Sequence, residues 1–364
     1  MTLVTAIPEH LQVERTISAS TPANFDPPFP AYSAQFAKDV SSLVMAIIGA
    51  QFPGKTGKEK AAISKVNSFL ALTDKEKAIR PAFSEWASAT DHKGFYNVTA
   101  IAYWKDEESY QKWTTKSGFR TWWESLDTRE QENGWFLELF FPTMDRFETV
   151  FSSGEIPEGA AQMRDGIVGP IKEHVYWGSM RDRLAVAQTD ALIGEEWHMA
   201  PVEQTTNGNR PRRIRVPGKK NLAIIRSGQD WADTAPEERK LYVNTMHPVL
   251  EAGMNFLRDH GDEVGCYSCR FMEIIDPATR RADKDRTFGL AYFDELASLE
   301  KWSKQHPTHL AIFAGFLKYA AKLNNVITLR LFHEVMVVKS EQQLFEYVGC
   351  HPETGMLVAA EHGN

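Results

Sequence analysis

Two stretches of the chain repeat the same order of apolar and polar residues. A run of apolar and β-branched residues from Val98 predicts a buried strand, and the polar stretch after it predicts a helix that closes on Trp113. The same order begins at Phe288 and closes on Trp302. The pattern therefore places a strand followed by a helix in each half of the chain.

Further matches flank both stretches in the same order along the chain. The matched segments are the apolar triplets 46–48 and 223–225, the triplets Leu-Phe-Phe at 139–141 and Leu-Phe-His at 331–333, and the predicted polar helices 145–151 and 340–347. Each half then reads strand, helix, strand, helix, strand, which is typical of a ferredoxin-like α+β unit. We predict an α+β protein with two ferredoxin-like halves, about 40–152 and 220–350. An irregular N-terminal arm (residues 1–35) precedes them, and a connecting segment (153–219) joins them.

Such an arrangement has a consequence for where a ligand could bind. A four-stranded antiparallel sheet covers one face with its own helices and leaves the other face in need of a partner. Two such sheets can face each other in a barrel-like core, with pockets between sheet and helices. A pocket of this kind suits a flat apolar cofactor.

Composition narrows the class of protein. The 364 residues are 43% hydrophobic and 24% charged, values that are typical of a globular protein. A net charge of −7 disfavours a nucleic-acid-binding surface, and the apolar run 43–50 is too short to span a membrane. Three cysteines do not make a disulfide framework. We therefore expect a soluble, cytoplasmic protein that binds neither nucleic acid nor membrane.

Common catalytic motifs are missing from the sequence. It contains no G-x-G-x-x-G after a strand, no phosphate-binding loop, no G-x-S-x-G and no H-E-x-x-H. Cys266 and Cys269 form a C-x-x-C without a second pair, and Arg270 follows them, so we expect core and edge residues there. Nucleotide-binding, hydrolase and zinc-peptidase activities are disfavoured.

The segment that begins at His306 is the most informative. Pro307 suits the first turn of a helix, where its missing N–H costs nothing. Apolar residues follow His309 at helical spacing, which places this histidine on the apolar stripe of the helix and leaves His306 as a polar or capping residue. A histidine in this position is more often a core residue than a metal ligand, although imidazole is a common axial ligand of haem iron. His333 interrupts an apolar strand where the first half carries Phe141. That asymmetry indicates a site in the C-terminal half.

Four motifs resemble those of the haem-containing aldoxime dehydratases, which include aliphatic and phenylacetaldoxime dehydratases. They are E-H-V-Y-W-G-S-M-R-D-R at 173–183, R-S-G-Q-D-W at 226–231, H-P-T-H at 306–309 and R-L-F-H-E at 330–334. The resemblance runs from about residue 10 to about residue 355. It implies a haem b cofactor in a pocket of a single haem-binding domain, active as ferrous haem. The implied reaction dehydrates an aldoxime (R–CH=N–OH) to a nitrile, with the substrate nitrogen bound to iron.

The resemblance also assigns roles to individual residues. His309 matches the axial haem ligand, and His333 matches the distal acid–base histidine. Ser227 matches the hydroxyl that binds the oxime oxygen, while Arg183 and Glu148 match the polar partners of His333. From the sequence alone, Glu148 could instead be a surface carboxylate on a polar helix, and Ser227 could be a helix cap.

The implied chemistry explains why these residue types are needed. Hydroxide is a poor leaving group, so protonated His333 would deliver a proton as the N–O bond breaks, and neutral His333 would then remove the proton on carbon. A histidine that titrates near neutrality suits both roles. The alternatives are a haem peroxidase or dismutase on a related fold, or a haem-binding sensor without turnover. An aldoxime is the expected small-molecule partner, and a homodimer is possible.

Overall fold

The fold is given by a computed structural model of the chain. It describes residues 2–72, 76–127, 132–175, 179–195, 203–204, 213–282 and 284–361. Parts of the connecting segment and the middle of the 173–183 motif lie outside the described residues.

The described residues form fourteen strands, most of them rich in β-branched and aromatic residues. The strands are β1 Ser33–Gln35, β2 Val44–Phe52, β3 Phe83–Thr90, β4 Tyr96–Trp104, β5 Gly134–Phe140, β6 Phe147–Phe151, β7 Gly166–Val168, β8 Glu203–Gln204, β9 Arg213–Val216, β10 Leu222–Asp230, β11 Cys266–Ile275, β12 Arg286–Phe293, β13 Arg330–Val338 and β14 Gln343–Val348.

The same residues form nine α-helices. They are α1 Glu59–Leu70, α2 Glu107–Lys116, α3 Phe119–Ser125, α4 Met180–Arg183, α5 Pro236–Leu241, α6 His247–Asp259, α7 Leu296–Gln305, α8 Pro307–Lys322 and α9 Val358–Glu361. A π-helical turn, Tyr242–Met246, joins α5 to α6. Among the described residues, no helix is both long enough and apolar enough to cross a membrane.

Twelve of these strands form one antiparallel sheet in the order β6-β13-β10-β12-β11-β3-β4-β2-β5-β14-β9-β8. The strands β6 and β14 change places between the halves. β6 follows β5 in the chain but pairs with β13, whereas β14 follows β13 but pairs with β5. The prediction of polar helices at 145–151 and 340–347 is wrong. Each stretch is a short 3-10 turn followed by β6 or β14, whose aromatic and β-branched residues favour a strand.

The strands β10, β12 and β13 are buried on both faces. Their even-numbered residues pack into a central core with β2, β4 and β5. Their odd-numbered residues face a second core formed with α4, α6 and α7, which also contains Cys266 and Cys269. This second, helix-covered face carries the candidate site, and the two cysteines are core residues there, as expected.

Residues ahead of β2 lie along the segment that leads to α4. Most of them form no regular element, but Ser33–Gln35 is a strand that pairs with Gly166–Val168. A short 3-10 turn, Glu9–Leu11, precedes it. Val4 also forms a parallel bridge to Ile171. These contacts attach residues from the beginning of the chain to the segment that carries Arg183.

Candidate haem and acid–base site

A row of neighbouring residues on the helix-covered face contains two of the predicted site residues. His333 of β13 lies directly opposite Ser227 of β10, and Ser227 lies directly opposite Gly289 of β12. Residues paired in this way in an antiparallel sheet have Cβ atoms about 4.5–5.5 Å apart on the same face. Ser227 is therefore a strand residue beside His333, and its alternative role as a helix cap is excluded.

The equivalent row of the first half is apolar. Taking Tyr103 and Tyr292 as equivalent, the strand registers align His333 with Leu137, Ser227 with Ile48 and Gly289 with Ala100. The expected counterpart of His333, Phe141, is therefore wrong, because Phe141 lies beyond the end of β5. The asymmetry inferred from the sequence remains: a serine and a histidine stand in the second half where the first half has aliphatic side chains.

Glu148 and Arg183 form a buried ion pair beside this row. Glu148 is on β6, directly opposite Val335 of β13. Because Val335 is two residues from His333, Glu148 and His333 lie on the same face of the sheet. Arg183 Nε and Nη2 donate to its two carboxylate oxygens at 2.7 and 2.9 Å. Both side chains are at most 3% exposed. The alternative of a surface carboxylate on a polar helix is wrong for Glu148.

Burial and the charge of Arg183 shift the pKa of Glu148 in opposite directions. Burial raises the pKa of Glu148, while the charge and hydrogen bonds of Arg183 counteract that rise. Removing either partner would leave the other as an unpaired buried charge, which typically costs about 3–5 kcal/mol. The pair therefore fixes the guanidinium on the face where His333 lies.

His309 lies on α8, within the helical layer that covers this face. It is 6% exposed, and its ring contacts Trp302 edge-on at 4.6 Å between ring centroids. A hydrogen bond to the backbone of Ser303 orients the imidazole, but burial dominates and lowers the pKa of His309 to about 4. His306 caps the helix by accepting from the Thr308 N–H, as predicted. His309 is thus a neutral, oriented imidazole, the form that binds a metal.

Burial of His333 and the nearby charge of Arg183 both disfavour its protonated form. Burial is the larger cause, and together they hold the pKa of His333 well below its usual range. The expectation that His333 titrates near neutrality is therefore wrong for the haem-free structure, in which its pKa is lowered. The charge of Arg183 opposes protonation of His333, while its guanidinium binds the carboxylate of Glu148.

The opposite face of the same strands carries a buried ionic cluster. Arg226 and Glu334, next in sequence to Ser227 and His333, lie opposite each other with 3.5 Å between Nη1 and Oε1. Tyr103 donates a short hydrogen bond to Glu334 and accepts one from Arg226 Nη1 at 2.9 Å. These contacts fix the backbone of β10 and β13 where Ser227 and His333 meet. The sequence analysis gave Arg226 and Glu334 no role, although both interrupt apolar strands.

The lowered pKa values of two histidines predict how the stability of the protein depends on pH. Burial lowers the pKa values of His174 and His309 to about 4, from 6.5. As pH falls, these histidines therefore take up protons in the unfolded chain before they do so in the folded protein. The free energy of unfolding of the haem-free protein falls by up to about 3 kcal/mol per histidine between pH 6.5 and 4. Urea unfolding across this pH range should show a smaller decrease in the free energy of unfolding for His174→Asn than for the parent protein. The exposed-site variant His10→Asn is the control, and identical pH profiles for all three proteins would contradict the prediction.

Comparisons with known proteins show similarity over most of the chain. The model of the haem-containing dehydratase family matches residues 46–356, most of the chain. An aliphatic aldoxime dehydratase of Rhodococcus erythropolis is 39% identical and aligns over 98% of this chain and 99% of its own. A phenylacetaldoxime dehydratase of Bacillus sp. (strain OxB-1) is 28% identical over 92% and 93% of the two chains.

Solved structures give the same result for the fold. A crystal structure of an aldoxime dehydratase in complex with butyraldoxime superposes with a TM-score of 0.88 at 38% identity, over 98% of this chain and 96% of that one. A second aldoxime dehydratase structure gives a TM-score of 0.86 at 36% identity, over 97% of each chain. The fold is thus the mixed α/β fold with a curled antiparallel sheet that those enzymes share. The chain belongs to the haem-containing dehydratase family.

Proposed function

We propose that this protein is a lyase that dehydrates aldoximes to nitriles and water on ferrous haem b. The observation that carries the proposal is the pairing of Ser227 and His333 in one row, beneath the helical layer that holds the buried His309. Relatives named as aliphatic aldoxime dehydratases, similar over the full chain, support the same reaction. A peroxidase, a dismutase or a passive haem sensor gains no support from them.

The residues present suit a haem group. His309 offers a neutral imidazole, and its hydrogen bond to the backbone of Ser303 would fix the orientation of a ring that binds iron. Gly289, opposite Ser227, has no side chain, and a Cβ there would approach the Met254 sulfur to 2.6 Å, so this position has no room for a larger residue. When bound, ferrous haem supplies an electron-rich iron that binds the oxime nitrogen and weakens its N–O bond.

The protein's own residues then handle the oxygen and the protons. Ser227 and Arg183 would hold the oxime hydroxyl toward His333, which lowers the entropic part of the barrier. A protonated His333 would give its proton to the departing hydroxide, forming water, and the resulting neutral imidazole would take the proton from the oxime carbon as the nitrile forms, which returns His333 to its protonated state. The lowered pKa makes the protonated imidazole a stronger acid than an ordinary histidine. Because one proton is given and one is taken, no net proton is consumed.

The direct test uses haem-loaded, reduced protein with butyraldoxime and with phenylacetaldoxime as separate substrates. Butyronitrile or phenylacetonitrile, measured by gas chromatography, is the expected product. Parallel samples with hydrogen peroxide and guaiacol test the peroxidase alternative. Oxidation of guaiacol without nitrile formation would overturn the proposal and favour that alternative.

The variant Ser227→Ala should lower turnover far more than haem content. The substitution removes the hydroxyl proposed to bind the oxime oxygen but leaves His309 and the strand register unchanged. Loss of one positioned hydrogen-bond donor at a reacting oxygen typically costs about 10²–10³-fold in kcat. Steady-state kinetics and the haem absorbance per protein measure the two effects separately. A parallel loss of haem and activity would contradict the assigned role.

We also propose that the chain is one haem-binding domain built from two ferredoxin-like halves, about 40–152 and 220–350. The sheet orders β5-β2-β4-β3 and β13-β10-β12-β11 support this, because the two halves arrange their strands in the same way. In each half the fourth strand lies beside the first, the first beside the third, and the third beside the second. The register supports it further: Tyr103 donates to Glu334 of the other half, and Tyr292 donates to Glu138. The cytoplasmic location and the homodimer remain predictions from the sequence.

A further inference from the structure

Arg183 is carried by an element that cannot hold its own position. Helix α4 is only four residues long, and helices this short are unstable without tertiary contacts. Glu148 fixes the guanidinium, and the Glu173 carbonyl accepts from Nη1 at 2.9 Å. The backbone of Arg183 must be fixed by other groups.

The residue before Arg183 is bound by the N-terminal arm. Asp182 is 1% exposed, and both of its carboxylate oxygens accept hydrogen bonds from the arm. The Ser20 N–H and hydroxyl donate at 3.0 and 2.9 Å, and the Thr21 N–H and hydroxyl donate at 2.6 Å each. Arg15 donates to the Asp182 carbonyl at 3.2 Å. One buried carboxylate thus depends on donors about 160 residues away in the chain.

A second carboxylate on the other side of Arg183 is held in the same way. The Thr5 hydroxyl and the Ala6 N–H donate to the two oxygens of Glu173 at 2.8 and 2.9 Å. Glu173 is 4% exposed, and its backbone carbonyl is the one that receives Arg183. The arm therefore contacts the residue next to Arg183 and a residue that binds its guanidinium.

We propose that the N-terminal arm belongs to the catalytic machinery, with Asp182 and Glu173 as positioning residues for Arg183; this inference rests on the proposed function. Without the arm's donors, the Asp182 carboxylate would lose the four hydrogen bonds described above, and Glu173 would keep, among the described residues, only Lys172, whose Nζ lies 3.7 Å from its Oε1. Buried carboxylates recruit the nearest cation, so they would compete with Glu148 for Arg183. The guanidinium would then turn away from the oxime oxygen and from His333.

The test compares Asp182→Asn with the control Glu59→Gln in the haem-loaded protein. Glu59 is also 1% exposed on its side chain, accepts a backbone N–H and pairs with an arginine, but it lies on α1 in the first half. We expect Asp182→Asn to lower kcat by about 10- to 100-fold, since displacement of a positioning group by about 1 Å has effects of that size. KM, haem content and melting temperature should change no more than in Glu59→Gln.

A second readout does not depend on turnover. Carbon monoxide bound to the reduced protein reports the charge near the distal side through its C–O stretching frequency, which should shift in Asp182→Asn and not in Glu59→Gln. The double variant Ser20→Ala, Thr21→Val removes two donors but keeps Asp182, so it decides the matter if Asp182→Asn fails to fold. Unchanged frequencies in the variants that fold, with kcat losses no larger than the control's, would overturn the inference. Lack of nitrile from the parent would instead refute the proposed function.

Discussion

Replacing His309 by alanine is expected to remove most of the bound haem. The imidazole is buried, neutral and oriented by Ser303, and alanine offers no ligand in its place. Loss of even an outer partner of a metal ligand typically lowers metal affinity about 10- to 100-fold, so loss of the ligand itself should cost at least that much. Haem titration of the purified protein, followed by absorbance, measures the change.

The matched control for this prediction is His306→Ala on the same helix. His306 caps α8 through its side chain, so its loss should destabilise the helix by about 1 kcal/mol without removing a ligand. Added imidazole should restore haem binding to His309→Ala and should not be needed by His306→Ala. Full haem affinity in His309→Ala without imidazole would contradict the assignment.

Replacing His333 by alanine is expected to abolish turnover while haem remains bound. His333 is proposed to give one proton to the departing hydroxide and to take the other from the oxime carbon. Positioned acid–base groups of this kind contribute about 10²–10⁴-fold to a rate. Single-turnover nitrile formation by the reduced protein measures the loss. The haem spectrum and content check that the axial side is intact.

Leu137→Ala provides the matched control. Leu137 occupies the register position of His333 in the first half, so this variant removes a buried side chain from an equivalent strand without removing a titratable group. It should destabilise the protein by about 2–5 kcal/mol, as buried leucine-to-alanine changes do, and leave kcat nearly unchanged. A loss of turnover in His333→Ala no larger than that in Leu137→Ala would contradict the acid–base role.

Much of the fold could be predicted from the sequence because its main strands are long apolar runs. The runs at β4 and β12, and the tryptophans of the following helices, were correctly identified. β3 was missed because serine residues and Glu85 interrupt its apolar residues. β6 and β14 were taken as helices because their polar and charged residues drew attention away from the aromatic and β-branched residues that favour a strand.

Only part of the candidate site could be predicted from the sequence, and the reasons are physical. His309 could be found because helical spacing places it on an apolar stripe, and His333 because it interrupts an apolar strand. The alignment of His333 with Leu137 needs strand registers, which local pattern does not specify. Its lowered pKa needs the burial and neighbouring charges that only the fold brings together. The contact of Asp182 with the N-terminal arm joins segments too distant in the chain for any spacing argument.

The most direct test of the account is nitrile formation from butyraldoxime under anaerobic conditions, with haem kept ferric in one sample and reduced with dithionite in the other. Equal haem occupancy is checked in both samples before substrate is added. The account predicts butyronitrile in the reduced sample only. No nitrile in either sample, from protein fully occupied by haem, would contradict it and leave the pairing of Ser227 with His333 without a function.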